Sequence, residues 1–168
     1  QETFEASALP DGVLLGPTEQ GICGTFGRFE GVVTNTRIAL SRPVSGTHTM
    51  SAWIRGREWL EESPGGFGRH TPPTILALYD AETNAPVVLR IHARFLQLAV
   101  SRDGRWDSAS SWHEIPAGQW VHVAVAREGS LLRFYLNGVP ELSTRLHECT
   151  KPLRFIRVGN IAERTFSG

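Results

Sequence analysis

From Gln119 to Val139 the chain reads Gln Trp Val His Val Ala Val Ala Arg Glu Gly Ser Leu Leu Arg Phe Tyr Leu Asn Gly Val. Two runs of alternating apolar and polar residues are separated by Arg127 to Ser130, which predicts a β-hairpin. The second run ends in Asn137-Gly138, a pair that takes positive φ at both central positions of a type I′ turn. Val121, Val123 and Val125 fall on one face of the first strand, and Leu132, Phe134 and Leu136 on one face of the second. Together they make part of a sheet's buried side.

Working outward, alternation at period two recurs, and no window of helical length sustains a 3.6-residue apolar period. The expected fold is therefore all-β. Upstream, strands are expected at Thr25 to Val33 and at Thr36 to Leu40, closed by Ser41-Arg42-Pro43, and then at Thr49 to Arg55. Glu58 to Pro73 carries Pro64-Gly65-Gly66, Gly68 and Pro72-Pro73 and reads as a long loop, a kind of segment that often carries function. Thr74 to Tyr79 resumes strand character, and Asp80 to Asn84 is a polar turn. Val87 to Ser101 forms a second hairpin turning near Ala93-Arg94, and Asp103 to Asp107 a further loop before Trp112. Leu153 to Val158 is the last strand. Residues 1–23, with turns at Pro10-Asp11-Gly12 and Gly16-Pro17, are expected to wrap the sheet edge, and residues 24–168 to form the domain proper. Many short strands with Gly and Pro punctuation predict a two-sheet antiparallel jelly-roll sandwich.

The chain's 168 residues and 40% hydrophobic content suffice for one self-supporting core. Seventeen basic residues balance seventeen acidic ones, so no long-range field draws the chain to nucleic acid or to an anionic membrane. No apolar run is long enough to insert into a bilayer. Gln1 is not Met, and the sequence is read as a processed or excised segment. Cys23 and Cys149 fit no metal-binding spacing, leaving one disulfide or two buried thiols. A bridge closing so long a loop would stabilise by about 4 to 5 kcal/mol in the chain-entropy model, and it is the expected alternative, with an oxidising compartment.

Several stretches, taken in order, resemble the laminin G-like, or concanavalin A-like lectin/glucanase, jelly-roll family of the pentraxin-like superfamily. Phe29-Glu30-Gly31 followed by Thr36 to Leu40 is similar to its early Phe-x-Gly strand pair, and Thr49 to Ile54 to its Ser-x-Trp strand. Gln119 to Gly138 resembles its Trp-His-Val-Ala hairpin, and Phe155 to Asn160 its hydrophobic strand ending in Gly. Family members continue past the Phe-x-Gly that Phe166-Ser167-Gly168 resembles, into one more strand. The resemblance thus implies a jelly roll whose C-terminal strand is missing from this chain. That slot is expected to be filled by the rest of a longer polypeptide, by a neighbouring domain or chain, or by Thr3 to Leu9.

Catalysis finds little support in the residues. Glycosidases of this architecture carry Glu-x-Asp-x-Glu on one strand, setting paired carboxylates on one face. Here the nearest stretch, Leu78-Tyr79-Asp80-Ala81-Glu82, has Leu78 in place of the first carboxylate. Arg90-Ile91-His92 only faintly echoes the Gln-Ile-His strand of alginate lyases.

Calcium is the cofactor the resemblance suggests, held at a loop rim by oxygen ligands. Its candidate ligands are Asp80, Glu82 and Asn84 in one loop and Asp103 and Asp107 in another. For ligand contact the candidates are Trp59, Trp106 and Trp112 in or beside loops, with Arg69 and Arg105 as charged partners and Arg57 and Arg102 nearby. Trp53 and Trp120 are assigned to the core. The expected function is non-catalytic recognition of a carbohydrate or a protein in an extracellular or secreted setting. The alternative is a structural or adhesion block of a larger extracellular assembly.

Overall fold

The computed structural model describes residues 14–15, 27–28, 38–55, 74–80, 86–102 and 104–158. Every regular element among them is a strand. The first six are β1 (Leu14–Leu15), β2 (Gly27–Arg28), β3 (Ile38–Val44), β4 (Thr47–Ile54), β5 (Thr74–Tyr79) and β6 (Val87–His92). The rest are β7 (Phe95–Arg102), β8 (Arg105–Glu114), β9 (Val121–Glu128), β10 (Leu131–Leu136), β11 (Val139–Arg145) and β12 (Leu153–Val158).

β1 and β2 pair with each other; the others form a four-stranded sheet, β11-β10-β9-β4, and a six-stranded sheet, β3-β12-β5-β6-β7-β8. All pairings are antiparallel. One apolar cluster joins Val121, Val123, Val125, Leu132, Phe134 and Leu136 of the first large sheet to Leu76, Leu78, Leu89, Leu96, Leu98 and Val100 of the second. The two sheets are thus the layers of a jelly-roll sandwich, as their alternation demands.

The opening hairpin is β9 and β10. It turns at Gly129-Ser130, two residues later than the sequence suggests, because Arg127 and Glu128 extend the strand. At the next turn Asn137 (φ 50°) and Gly138 (φ 79°) both take positive φ between Leu136 and Val139, the type I′ signature. The β6–β7 hairpin turns at Ala93-Arg94, as expected, and places these non-glycine residues at φ 47° and 70°.

Three expectations are corrected. Ser41-Arg42-Pro43 does not close β3, which runs on to Val44 with an irregularity opposite β12. Pro43 is accommodated there because β3 is an edge strand of its sheet. Arg105, Trp106 and Asp107 are strand, not loop, since β8 begins directly after the turn at Gly104 (φ 77°). Trp53 is not core: Met50, Ala52 and Ile54 face inward, so Trp53 faces outward at 44% exposure, its ring centroid 5.2 Å from that of His122. Trp120 precedes β9 and is half-buried.

The expected disulfide is not formed at Cys149, a free thiol buried between β11 and β12 with Sγ 4.0 Å from the Lys151 carbonyl. Cys23, the Glu58 to Pro73 loop, most of the N-terminal segment and the C-terminal residues 159–168 lie outside the described residues.

Candidate functional site at one end of the sandwich

The β7–β8 turn, the β9–β10 turn and the β11–β12 connection gather at one end of the sandwich. In the β7–β8 ladder Val100 pairs with Asp107, Ser101 with Trp106 and Arg102 with Arg105. Residues directly opposite one another share a face. Because Val100 is core, Asp107, Arg105 and Arg102 continue its inner face past the last apolar layer, while Trp106 stands on the outer face of the edge strand. Arg102, Arg105, Trp106, Asp107 and His147 line an open cleft of about 570 Å³.

His147 is held from three directions. Its N–H donates to Oδ2 of Asp107 at 3.2 Å, and Nδ1 lies 3.1 Å from Nη1 of Arg102. A guanidinium only donates, so Nδ1 is the acceptor and the ring proton sits on Nε2. The third hold comes from the opposite sheet, where Nη2 of Arg127 donates to the His147 carbonyl at 2.6 Å. Leu146 N–H donates to Ser130 O at 2.9 Å, and the Leu146 and Cys149 side chains are buried. Residues 146–149 therefore span the two sheets as a strap whose exposed side is a cleft wall.

Beneath the strap, Arg127 is 2% exposed; it continues the inward series of Val121, Val123 and Val125. Its Nε donates to Gly129 O at 2.9 Å, while Nη1 is buried without a partner. Burial pulls the Arg127 pKa down, with Cys149 and Glu148 acting in the other direction. His48, opposite Arg127 on β4, also has a buried Nδ1 without a partner. Burial first, and the adjacent Arg127 charge second, lower its pKa from 6.5 to about 4.

Of the candidate residues named from the sequence, the structure brings Arg105, Trp106 and Asp107 together, with Arg102. Trp112 is not among them. It is 71% exposed on β8 but six residues along the strand from Trp106, about 20 Å at strand rise. Trp59 and Arg69 lie outside the described residues, as do Glu82, Asn84 and Asp103. Asp80 pairs with Lys151 at 3.3 Å. Leu78, Val87, Val100 and Asp107 are in register across four strands, so Asp80, two residues beyond Leu78, is about 15 Å from Asp107. Asp80 and Asp107 therefore cannot ligate one ion together, and among the described residues no group of three or more His, Cys, Asp or Glu is placed to hold a metal.

Sequence reasoning missed His147, Arg127 and His48. Arg127 was within reach, because the next inward position after Val121, Val123 and Val125 is 127. His147 carried no local signal; only the fold brings it 40 residues back to Asp107.

An antiparallel jelly-roll sandwich with a cleft at its rim defines a class of β-sandwich domains. The chain belongs to the concanavalin A-like lectin/glucanases superfamily, which matches residues 27–168. Among solved structures it is similar to domain 4 of AbnA, a GH43 extracellular arabinanase from Geobacillus stearothermophilus, in complex with arabinotriose. That likeness has a TM-score of 0.53 and 17% identity, over 89% of this chain and 79% of that one. It is also similar to the carbohydrate-binding module CBM66 from Bacillus subtilis (TM-score 0.51, 13% identity, 86% of this chain and 82% of that one). Sheep galectin-11 in complex with glycerol is a third (TM-score 0.50, 10% identity, 74% and 89%). At these identities the likeness is one of fold. No curated protein sequence matches the chain.

Proposed function

We propose that this chain is a non-catalytic recognition module that binds a saccharide in the cleft formed by Arg102, Arg105, Trp106, Asp107 and His147, in an extracellular or secreted setting. The observation that carries the reading is Trp106. Its indole, 38% exposed, stands on a rigid strand at the mouth of a cleft lined with polar hydrogen-bonding groups. An indole offers an apolar face to a sugar ring, and the groups around it fix the ring's orientation. The saccharide-related neighbours, a carbohydrate-binding module and a domain bound to arabinotriose, support the same reading. Among the described residues lining the cleft Asp107 is the one carboxylate, whereas glycosidase chemistry uses two.

A glycan array with the purified domain tests the proposal: oligosaccharide binding is expected, and Trp106→Ala should abolish it while the thermal midpoint stays put. Binding that survives this substitution would move the site elsewhere. Calcium would be held at one of two separate rims, by Asp80, Glu82 and Asn84 or by Asp103 and Asp107, and its readout is a rise in the thermal midpoint at millimolar calcium. The second reading, a building block of a larger extracellular assembly, is favoured by exposed Trp112 and Trp53, which lie away from the cleft.

A further inference from the structure

Among the described residues the cleft lining carries two arginines against one carboxylate, in a chain whose formal charges balance. Its lining groups are not equally available. One oxygen of Asp107 is engaged by the His147 N–H, and Nη1 of Arg102 is engaged by the His147 ring. Arg105 differs: it is exposed, and among the described residues no hydrogen bond or ion pair engages its guanidinium.

Arg105 is also the direct cross-strand partner of Arg102. Like charges at directly opposed strand positions repel, their Cβ atoms only about 5 Å apart. An anion against Arg105 lessens that repulsion and receives charge-assisted hydrogen bonds in the planar, forked geometry that suits carboxylate and sulfate, with Arg102, already engaged by His147, alongside. Trp106, the next residue along the strand, points to the opposite face, but β8 is an edge strand and its indole lines the same cleft around that edge.

We infer that the cleft selects an anionic saccharide, whose ring stacks on Trp106 and whose carboxylate or sulfate lies against Arg105 and Arg102. This rests on the saccharide reading above and adds the charge of the ligand. Asp107 acts as a positioning residue: through the His147 N–H it fixes the strap that faces the anion.

The test titrates the domain with uronate-bearing and sulfated oligosaccharides, each against its own neutral counterpart, the methyl ester or the desulfated sugar, at low and high salt. An acidic sugar is expected to bind at least about tenfold more tightly than its neutral counterpart, with the advantage shrinking as salt rises. The member of the panel that shows the preference identifies the anion as carboxylate or sulfate. Arg105→Ala should abolish the preference and flatten the salt dependence, and Arg105→Lys should restore part of it. Arg105 is exposed, so unchanged thermal midpoints verify the fold. Equal binding of acidic and neutral sugars, or a preference that survives Arg105→Ala, overturns the inference. If Trp106→Ala still abolishes binding in that case, the saccharide reading stands without it; if no sugar binds at all, both fall.

Discussion

Nη2 of Arg127 donates a 2.6 Å hydrogen bond to the carbonyl of His147, joining the buried floor of the four-stranded sheet to a wall of the cleft. The same guanidinium donates from Nε to Gly129 O at 2.9 Å, so one buried cation ties together the β9–β10 turn and the strap over it. A hydrogen bond from a charged donor contributes about 1.5–3 kcal/mol, and removing the donor leaves two carbonyls to find others. Arg127→Ala is therefore expected to destabilise the domain by about 2–4 kcal/mol in urea unfolding. It should also weaken ligand binding at temperatures where the variant is folded, because His147 loses its tether. A loss below about 0.5 kcal/mol would mean that the strap is held otherwise.

His48 gives the domain a pH dependence. Its pKa is about 4 in the fold against 6.5 for the ordinary side chain, so between these values the unfolded chain binds the extra proton. Stability from this residue is fully present above about pH 6.5 and is lost as pH falls toward about 4. Between about pH 7 and about pH 5 the loss is about 2 kcal/mol. Urea midpoints of the wild type and His48→Leu across this range should diverge, with the variant flatter. Parallel profiles would contradict the assignment.

Cys149 is a free, buried thiol. Reductant is accordingly expected to leave the thermal midpoint unchanged, and Cys149→Ala to cost about 1 kcal/mol. A bridge to Cys23 would instead make reduction cost about 4–5 kcal/mol. The thiol should react with an aromatic disulfide reagent only as fast as the domain opens; rapid labelling of the folded chain would place it at the surface.

The hairpin at Ala93-Arg94 holds two non-glycine residues at φ 47° and 70°, backbone that Asn-Gly adopts at less cost. Replacing the pair by Ala93→Asn with Arg94→Gly should raise stability by about 1 kcal/mol, read as a higher urea midpoint with an unchanged slope. The change removes the 3.7 Å contact of Arg94 with Glu114, which is solvent-exposed on both sides and contributes little. A fall in the midpoint would show that the turn depends on these side chains.

The scaffold was legible in the sequence because burial writes itself as period two: Val121, Val123 and Val125, or Leu132, Phe134 and Leu136, need no partner to reveal which way they face. Asn137-Gly138 was legible because few residue pairs accept its backbone. Trp53 misled because a place within a strand was read as burial, whereas parity opposite to Met50 and Ile54 puts it outside. The strand around Trp106 was hidden because its inward positions Arg105 and Asp107 are charged while its outward Ser108 and Ser110 are polar, leaving no alternation of hydropathy to read. The strap was invisible for another reason. His147, Asp107 and Arg127 come from three separate stretches, and only the packing of the two sheets makes them neighbours.

The most direct test of the whole account is the affinity of Trp106→Ala, beside Trp112→Ala as a matched exposed tryptophan on the same strand, for whichever oligosaccharide binds the wild-type domain. Calorimetric titration should show at least about tenfold weaker binding for Trp106→Ala and wild-type binding for Trp112→Ala, with both variants folded. Wild-type affinity in Trp106→Ala, with binding lost in Trp112→Ala, would contradict the cleft as the recognition site.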